Sequence, residues 1–362
     1  MADQQSAGPL RLQPVQIIET TAGILLKRGA VEVRVVGPGA PELVNTVLHA
    51  LSGPGTTPER ICALFAEPDR PRVRDFVELL LSRRMIVEVR RAASAGAGLP
   101  EGPLDVFYWQ LGVSTKDATR SLDEAAIAVV GVNEVSMHLA RSLVACGVSR
   151  LTVIDDPTLR NLRFFEDDGP LLAGRWGSLP PPVALHDWTE GSGFESVGCV
   201  VATSDFGGLH FMRRWNELCV EHGRRFLPVV LQDLVGHVGP LVVPGETPCF
   251  ECAYLRRNAQ QEEPMWHRAS ELVALEGQSI VGYHPAMPSV LGGVAAIELT
   301  TSHLPIPLAP PVGRVLELRL LGGEMTPHPV LRLPRCPVCS PVTRRSPVRA
   351  TRERDWVGDP EQ

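Results

Sequence analysis

The chain has 362 residues, of which 44% are hydrophobic, so it has enough apolar material for two or three domains with separate cores. A formal net charge of −6 argues against a general nucleic-acid binder, and the lack of any run of about 18 apolar residues argues against a membrane protein. The opening residues MADQQSAGPL have neither the basic nor the apolar segment of a secretory signal, so we expect a cytoplasmic protein.

Residues 1–90 predict a small module of strands and helices that is ordered from about residue 13. Three short β-branched runs, VQIIE, GILLK and VEVRVV, are separated by turn-like residues and favour an antiparallel meander. Three helical patterns follow, the second with Thr57 as a candidate N-cap, and the strand IVEVR closes the module. This order of strands and helices is typical of a winged helix.

The rest of the chain predicts one larger domain between a linker and a tail. Residues 91–103, RAASAGAGLPEGP, are mostly small and flexible, which predicts a linker. Residues 104–340 alternate buried strands with helices, as α/β domains do. The tail, residues 341–362, is rich in arginine and proline and lacks an apolar period, so we predict that it is disordered.

The stretch AIAVVGVNEVSMHLARSLVACGVSRLTVIDD has the pattern of a nucleotide-binding β-α-β unit. A buried strand over Ile127–Val130 runs into Gly131, and a helix and a second strand, Leu151–Ile154, follow. A phosphate-binding loop reads G-x-G-x-x-G, whereas here Asn133 and Ser136 occupy the second and third glycine positions. The pattern therefore leaves open whether this is a working nucleotide site.

Two C-x-x-C pairs, Cys249/Cys252 and Cys336/Cys339, are the clearest metal-binding pattern in the chain. Such pairs can converge on one tetrahedral Zn²⁺ with four thiolates, which leaves no open position and makes the metal structural. Free buried thiols and redox pairs are the alternatives. The other cysteines lie singly in apolar segments and are interpreted as small buried hydrophobic residues: Cys62, Cys146, Cys199 and Cys219.

The β-α-β stretch resembles the core of E1-like (ThiF-type) adenylating proteins. So do VVATSDF, NELCVEHG, GHVGPLVVPGETPCFEC, YHPAMPSVLGGVAAIELT and RCPVCS, in the same order, over roughly residues 104–340. The N-terminal module looks like the peptide-recognition element of ribosomal peptide biosynthesis. The combination resembles the Ocin-ThiF-like leader-binding proteins, which serve azole-forming cyclodehydratases of the YcaO type. The resemblance implies a winged-helix peptide-recognition module followed by an E1-like, Rossmann-like α/β domain with a zinc site of four cysteines.

Adenylating members of the family hold ATP and Mg²⁺, and the resemblance implies where these would bind. Asp155 matches the acid that binds ribose hydroxyls, Asp205 the metal-associated acid and Asn161 the family's asparagine. The family's arginine position holds Phe164, and its ATP-contacting lysine is absent. The degenerate nucleotide site would comprise Gly131, Asn133, Ser136, Asp155, Asn161 and Asp205.

Glycines, arginine and lysine are lost together, so both the phosphate cradle and its compensating charge are missing. We therefore expect no productive ATP complex. For Asp155 and Asp205 the alternative interpretation is a carboxylate that caps a helix or lies solvated at the end of a strand.

In the leader-binding family the peptide adds as a strand beside the third strand of the module, next to its third helix. Val31, Val33 and Val35 should face the core of the module, while backbone hydrogen bonds along the strand edge set the register of the bound peptide. The residues implied for peptide binding are Val31, Val33, Val35, Val73, Phe76, Leu80 and Arg83. A purely structural role in the core is the alternative for Phe76 and Leu80.

The sequence therefore leads to the hypothesis of a non-catalytic delivery protein. It would bind the leader of a ribosomal precursor peptide and present the peptide to a separate YcaO cyclodehydratase for azoline or thiazole formation, as in thiopeptide or linear azole biosynthesis. Its other expected partner is a second copy of the chain, bound through the E1-like domain. No nucleic acid or membrane partner is expected.

Two alternatives stay open. One is an active ATP-dependent adenylating enzyme of the ThiF class. The other is a nicotinamide-linked Rossmann enzyme, against which the broken glycine pattern and the cysteine pairs argue.

Overall fold

The structure, a computed structural model, describes residues 8–53, 55–88, 102–166, 169–191, 193–260, 265–266, 269, 282–304, 306 and 312–341. Its described residues form two compact units, and the division falls between Ala118 and Thr119. Nearly all of the predicted linker, residues 91–101, and the tail from residue 342 lie outside the described residues.

The first unit is a small module of short strands and helices. Its elements are β1 Leu10–Leu12, β2 Gln16–Thr20, β3 Gly23–Arg28, β4 Val31–Val36, α1 Ala40–Ser52, α2 Pro58–Ala63, α3 Arg70–Ser82, β5 Ile86–Glu88 and α4 Pro103–Leu111. Strands β2, β3 and β4 form the predicted antiparallel meander. Strand β1, which precedes the predicted start of order near residue 13, pairs antiparallel with β5.

Local sequence explains most of this unit. The alternation in β3 buries Ile24, Leu26 and Arg28 and leaves the alternate residues half-exposed. Helix α2 begins after Thr57, whose hydroxyl accepts a hydrogen bond from the Arg60 N–H at 3.4 Å, as predicted for an N-cap.

Helix α4 belongs to the first unit, although the sequence assigned it to the second domain. The indole N–H of Trp109 donates to the carbonyl of Arg84 at 3.2 Å, and the Arg84 guanidinium donates back to the Trp109 carbonyl at 3.4 Å. The Arg28 guanidinium lies 4.5 Å from the centre of the Trp109 ring. These contacts hold α4 against the module.

The second unit is a doubly wound α/β domain. Helix α5, Thr115–Ala125, contains the division between the units. The elements that follow it are β6 Ile127–Val130, α6 Glu134–Ala145, β7 Leu151–Asp155, α7 Ala173–Trp176, β8 Val183–Ala184, α8 Leu185–Glu190, β9 Cys199–Ser204, α9 Met212–Glu221, β10 Arg225–Gln232, β11 Val235–Val238, α10 Phe250–Ala259, α11 Ala286–His303, β12 Arg314–Arg319 and β13 Glu324–Pro329.

Eight of these strands form one sheet in the order β13-β12-β11-β10-β9-β6-β7-β8. Strands β10, β9, β6, β7 and β8 are parallel, whereas β11, β12 and β13 extend the sheet antiparallel. The predicted α/β fold with a Rossmann-like, mainly parallel sheet is therefore confirmed.

Two hydrophobic cores cover the faces of this sheet, because its central strands are buried on both sides. Along β6, Ala128 and Val130 face one core, and Ile127 and Val129 face the other. Helices α9 and α10 contribute to the first core, and α6 and α11 to the second. Among the helices that the structure describes, none combines the length and the apolar character needed to cross a membrane.

Candidate functional site

The loop after β6 lies at the point where the sheet reverses its strand order. Strand β6 pairs with β7 on one side and with β9 on the other, and α/β sheets bind ligands in the crevice outside such carboxyl ends. Gly131 begins the loop with φ of +100°, and a Cβ there would lie 2.8 Å from the carbonyl oxygen of Thr203. Only glycine fits this turn.

Asn133 and Ser136, at the other two glycine positions, cap helix α6. The Asn133 side chain accepts a hydrogen bond from the Ser136 N–H at 3.0 Å, and the Ser136 hydroxyl accepts one from the Asn133 N–H at 3.0 Å. The Asn133 amide also donates to the carbonyl oxygens of Thr203 at 3.0 Å and Leu159 at 3.2 Å. Both residues are fully buried, so their side chains fill the space beside the loop.

The N–H groups at the start of α6 are largely engaged within the chain. In a phosphate-binding loop such groups point at the phosphate. Here the N–H of Glu134 donates to Asp205 Oδ2 at 2.9 Å, and that of Ser136 donates to Asn133. The Asp205 carboxylate thus lies where the helix dipole would otherwise favour a bound anion.

Asp205 is the centre of a buried polar cluster. Its Oδ2 accepts hydrogen bonds from Asn161 Nδ2 at 2.7 Å and from the Tyr283 hydroxyl at 3.0 Å, as well as from Glu134 N–H. Its Oδ1 is buried and has no hydrogen-bond partner among the described residues. Burial raises the pKa of Asp205, while the bonds from Asn161, Glu134 and Tyr283 act in the opposite direction.

Five of the six residues of the predicted nucleotide site meet in this loop and cluster: Gly131, Asn133, Ser136, Asn161 and Asp205. The sequence analysis did not single out Tyr283, although it precedes α11 in the quoted YHPAMPS segment. Burial and the nearby Asp205 carboxylate raise the pKa of Tyr283, which keeps its hydroxyl a hydrogen-bond donor at neutral pH.

Asp155 is engaged in an ion pair with Arg160. The Arg160 Nε and Nη2 each lie 2.6 Å from a different oxygen of Asp155, so both carboxylate oxygens are engaged. The Arg160 guanidinium also lies 4.5 Å from the centre of the Phe165 ring. Phe164, at the family's arginine position, is buried edge-on against Trp176. A ribose hydroxyl would have to compete with Arg160 for Asp155.

The four predicted cysteines do meet in space. Cys249 Sγ lies 3.5 Å from Cys336 Sγ, and Cys252 Sγ lies 3.5 Å from Cys339 Sγ. All four sulfur atoms lie within 4.8 Å of one another. Tetrahedral Zn–S bonds of about 2.3 Å would place the sulfurs about 3.8 Å apart. The cluster can therefore hold a metal ion, and its soft sulfur ligands suit zinc.

Helix α10 supports this cluster. Cys249 is its N-cap and Cys252 lies in its first turn, where the helix dipole favours thiolate. Hydrogen bonds from neighbouring thiols lower the pKa of Cys252. Between the two cysteines, buried Glu251 accepts two 2.7 Å hydrogen bonds from Arg213 of α9. Sequence reasoning missed this pair, because it joins two helices that are distant in the chain.

Strand β4 lies at the edge of the three-stranded sheet. Val33 is buried, and Val31 and Val35 pack partly buried against the same core, as predicted. Strands β3 and β4 are joined by a two-residue turn, with Arg28 directly opposite Val31. The two residues that flank such a turn exchange backbone hydrogen bonds with each other. The N–H groups of Val31, Val33 and Val35 therefore face β3, and those of the alternate residues face the free edge: Glu32, Arg34 and Val36.

The apolar residues named on α3 lie in the core of the first unit. Val73, Phe76 and Leu80 are at most 6% exposed. The apolar face of α3 packs inward, against the core of the unit. This arrangement agrees with the alternative given for Phe76 and Leu80, a purely structural role in the core. Arg83, at the end of α3, is exposed.

Comparison with solved structures defines the class of fold. Escherichia coli MccB, in its complex with MccA-N7isoASN, matches with a TM-score of 0.63 and 16% identity, over 91% of this chain and 99% of MccB. The heterocyclase TruD matches with a TM-score of 0.57 and 17% identity, over 92% of this chain and 43% of TruD. A heterocyclase in complex with substrate and cofactor matches with a TM-score of 0.53 and 18% identity, over 92% of this chain and 40% of that protein. The chain thus shares the MccB and ThiF-type fold.

Sequence comparison gives one relative that matches part of the chain. An alignment of 167 residues is 29% identical to ubiquitin-like modifier-activating enzyme 5 of Oryza sativa subsp. japonica, and it covers 38% of this chain. The matched part is 39% of that enzyme, so the chain spans well under half of this curated relative. No protein-family model matches the chain.

Proposed function

We propose that this chain binds the leader of a ribosomal precursor peptide and delivers the peptide to a separate YcaO-type cyclodehydratase, which forms azoline or thiazole rings. The fold is shared with heterocyclases and with MccB, which was solved together with MccA-N7isoASN. These likenesses support a role on peptide substrates. The proposal assigns leader capture to the first unit and docking of the cyclodehydratase to the second.

The free edge of β4 carries the leader-binding proposal. Within the described residues β4 pairs only with β3, so the N–H groups at Glu32, Arg34 and Val36 are available to an added strand. Arg34 and Val36 are exposed, with Val36 at 67%. An edge strand of this kind invites a partner strand, because its backbone groups otherwise bind only water.

The loop after β6 supports a non-catalytic role. Asn133, Ser136 and Asp205 engage the start of α6, and Arg160 neutralises Asp155. ATP would have to displace these internal bonds without a family arginine or lysine to compensate. We propose that the loop is a scaffold and that a structural Zn²⁺ in the cysteine cluster holds the C-terminal segment to α10.

An adenylating enzyme is the second candidate. The buried Oδ1 of Asp205, unpartnered in the described part of the chain, favours it, since such an oxygen could take part in binding Mg²⁺. Likeness to an activating enzyme points the same way. Pyrophosphate exchange in the presence of the precursor peptide would support this candidate over delivery.

We also propose that the second unit forms a homodimer. Helix α11 exposes Val290 at 47% and Ile297 at 59%, seven residues and therefore about two turns apart on one face. An apolar stripe of this kind is typical of a helix that packs against a partner. Sedimentation of the full chain, with Ile297→Glu as the dissociating variant, tests this step.

The leader experiment uses two variants at one position of β4. Arg34→Pro removes a donor from the free edge and puts a ring in the path of an added strand, whereas Arg34→Ala removes the side chain and keeps the donor. We expect the full chain to bind the cognate leader with micromolar affinity, about −8 kcal/mol. Arg34→Pro should weaken binding at least tenfold and Arg34→Ala much less. Equal affinity of the two variants, with unchanged melting temperatures, would contradict strand addition.

A further inference from the structure

The second unit contains a cavity of about 420 Å³ that plays no part in the proposed leader capture. It lies between helix α10 and the antiparallel end of the sheet, strands β11, β12 and β13. Its walls are largely apolar and include Leu209, Phe250, Tyr254, Val315 and Val330. Cavities of this size, with apolar walls and a few polar groups, are typical of small-ligand sites.

The polar groups of the cavity centre on His237 of β11. Arg257 of α10 places Nη1 2.8 Å from His237 Nε2. A guanidinium only donates hydrogen bonds, so Nε2 is the acceptor and the ring proton is on Nδ1. His237 is 5% exposed, and its Nδ1 has no partner among the residues that the structure describes. His237 lines the cavity, but its Nδ1 is enclosed, so the group that faces a ligand is the Arg257 guanidinium that Nε2 holds in place.

Arg257 supplies the unmatched charge of the cavity. Over the described ranges its guanidinium forms no ion pair within 4.0 Å, and its side-chain hydrogen bond is the one to His237. One acid, Glu317, also lines the cavity and lies opposite His237 on β12, with a carboxylate oxygen 4.0 Å from His237 Nε2. It pairs with Arg319 at 3.1 Å and approaches His328 at 3.7 Å. A cation held in place by His237 thus faces the cavity, while the acid beside it already has a cationic partner in Arg319.

We propose that this cavity binds a carboxylate joined to an apolar body. The carboxylate would accept hydrogen bonds from the Arg257 guanidinium, which His237 Nε2 holds in place, and the body would pack against Phe250, Val315 and Val330. A charge-assisted pair of this kind needs a planar acceptor with two oxygens, which a carboxylate provides. The same chemistry occurs in a free small acid and at the C-terminus of a peptide chain.

The test is calorimetric titration of the full chain with N-acetyl-L-phenylalanine and with its amide, which has the same body without the charge. We expect the acid to bind at least tenfold more tightly than the amide. Arg257→Met should lower the affinity for the acid about tenfold to a hundredfold, as expected for loss of a charge-assisted hydrogen bond. The exposed Arg141→Met on α6 removes the same charge elsewhere and should leave the affinity unchanged. Val315→Phe, which fills the cavity, should abolish binding while keeping Arg257.

A second probe separates the two sources of the carboxylate. Acetyl-Gly-Gly-Gly-Phe with a free C-terminus should bind at least as tightly as the short acid if the cavity receives a peptide end, and more weakly if it receives a free acid. Both results support the site. The proposal is overturned if acid and amide bind equally, if neither binds below about 10 mM, roughly −2.7 kcal/mol, or if Arg141→Met matches the loss of Arg257→Met. Melting temperatures of all variants monitor folding.

Discussion

The backbone N–H of Glu134 donates a hydrogen bond to Asp205 Oδ2 at 2.9 Å, so a carboxylate from the end of β9 caps the helix that follows β6. Asn133, the N-cap residue, and Ser136 of the first turn complete the cap through their mutual hydrogen bonds. This relationship links the two strands at the point where a nucleotide would have to bind, and it leads directly to a prediction about ATP.

We expect Mg·ATP to bind no more tightly than about 1 mM, roughly −4 kcal/mol, because the phosphates would have to displace internal acceptors from the start of α6. Calorimetric titration of the full chain measures this affinity, with Mg·AMP as the control for weak binding of the adenosine part alone. Saturation at tenfold lower ATP concentration would favour the adenylating candidate.

Replacing Asn133 with alanine should destabilise the second unit by about 2–4 kcal/mol. The variant loses an N-cap, worth about 1 kcal/mol, and leaves the buried carbonyls of Thr203 and Leu159 without their donor. Urea unfolding, followed by a probe of this unit, measures the change. Asn258→Ala, which changes a half-buried asparagine near the end of α10, is the matched control and should stay within about 0.5 kcal/mol of the parent.

The stability of the chain should depend on pH through His237. Burial, with the charges of Arg257 and His328 nearby, lowers the pKa of His237 to about 3, so the folded ring stays neutral. The unfolded ring takes up a proton below about pH 6.5. The stability that His237 contributes is therefore present above that pH and is lost as the pH falls toward 3.

This loss amounts to about 1.4 kcal/mol between pH 8 and pH 5.5. Denaturant unfolding of the parent and of His237→Gln at both pH values measures it, since the other histidines cancel in the difference. The parent should lose about 1.4 kcal/mol more than the variant. An identical pH dependence of the two proteins would show that His237 is solvated or charged when folded.

The cysteine cluster should bind about one zinc per chain, measured by elemental analysis. Cys336→Ser removes one thiolate from a closed set of four, so it should release the metal and lower the melting temperature of the second unit. Cys146→Ser, which changes a half-buried cysteine outside the cluster, is the control and should retain the metal. Retention of zinc by Cys336→Ser would exclude the four-thiolate site.

The proposal that the chain delivers the precursor peptide predicts which variants affect ring formation by the cyclodehydratase. With the full chain present, a YcaO partner should release one water per azoline ring far faster than it does alone, as mass spectrometry would detect. Arg34→Pro should remove most of this stimulation. Asp205→Asn should retain it, because the carboxylate caps a helix in this scheme and performs no chemistry. A selective loss of processing in Asp205→Asn, with folding intact, would instead support adenylation.

The sequence was most informative where periodicity and spacing carry the structure. The β-branched runs of the meander, the Thr57 cap and the meeting of the four cysteines follow from local pattern or from ligand chemistry. Strand β1 escaped prediction because three residues are too short to show alternation, and its partner β5 lies more than seventy positions away. Pairings of that range depend on tertiary structure rather than on propensity.

The same contrast between local pattern and tertiary contact applies to the candidate site. The pattern marked Asn133 and Ser136 as departures from a glycine loop, but their roles in capping α6 depend on side-chain geometry. The engagement of Asp155 by Arg160 was equally hidden, because sequence spacing does not show which carboxylate a guanidinium will choose. On α3, periodicity alone could not separate core residues from residues that face a peptide.

The cysteine cluster also sets an order of events during synthesis. Cys249 and Cys252 leave the ribosome long before Cys336 and Cys339, so the set of four ligands stays incomplete until the second pair has been synthesised. Until then the two cysteines at the start of α10 form a dithiol that is open to oxidation, and the segment after β13 lacks its attachment to α10 through the metal. A nascent chain that stops before Cys336 should therefore remain sensitive to proteases, and synthesis past Cys339 with metal present should make it resistant.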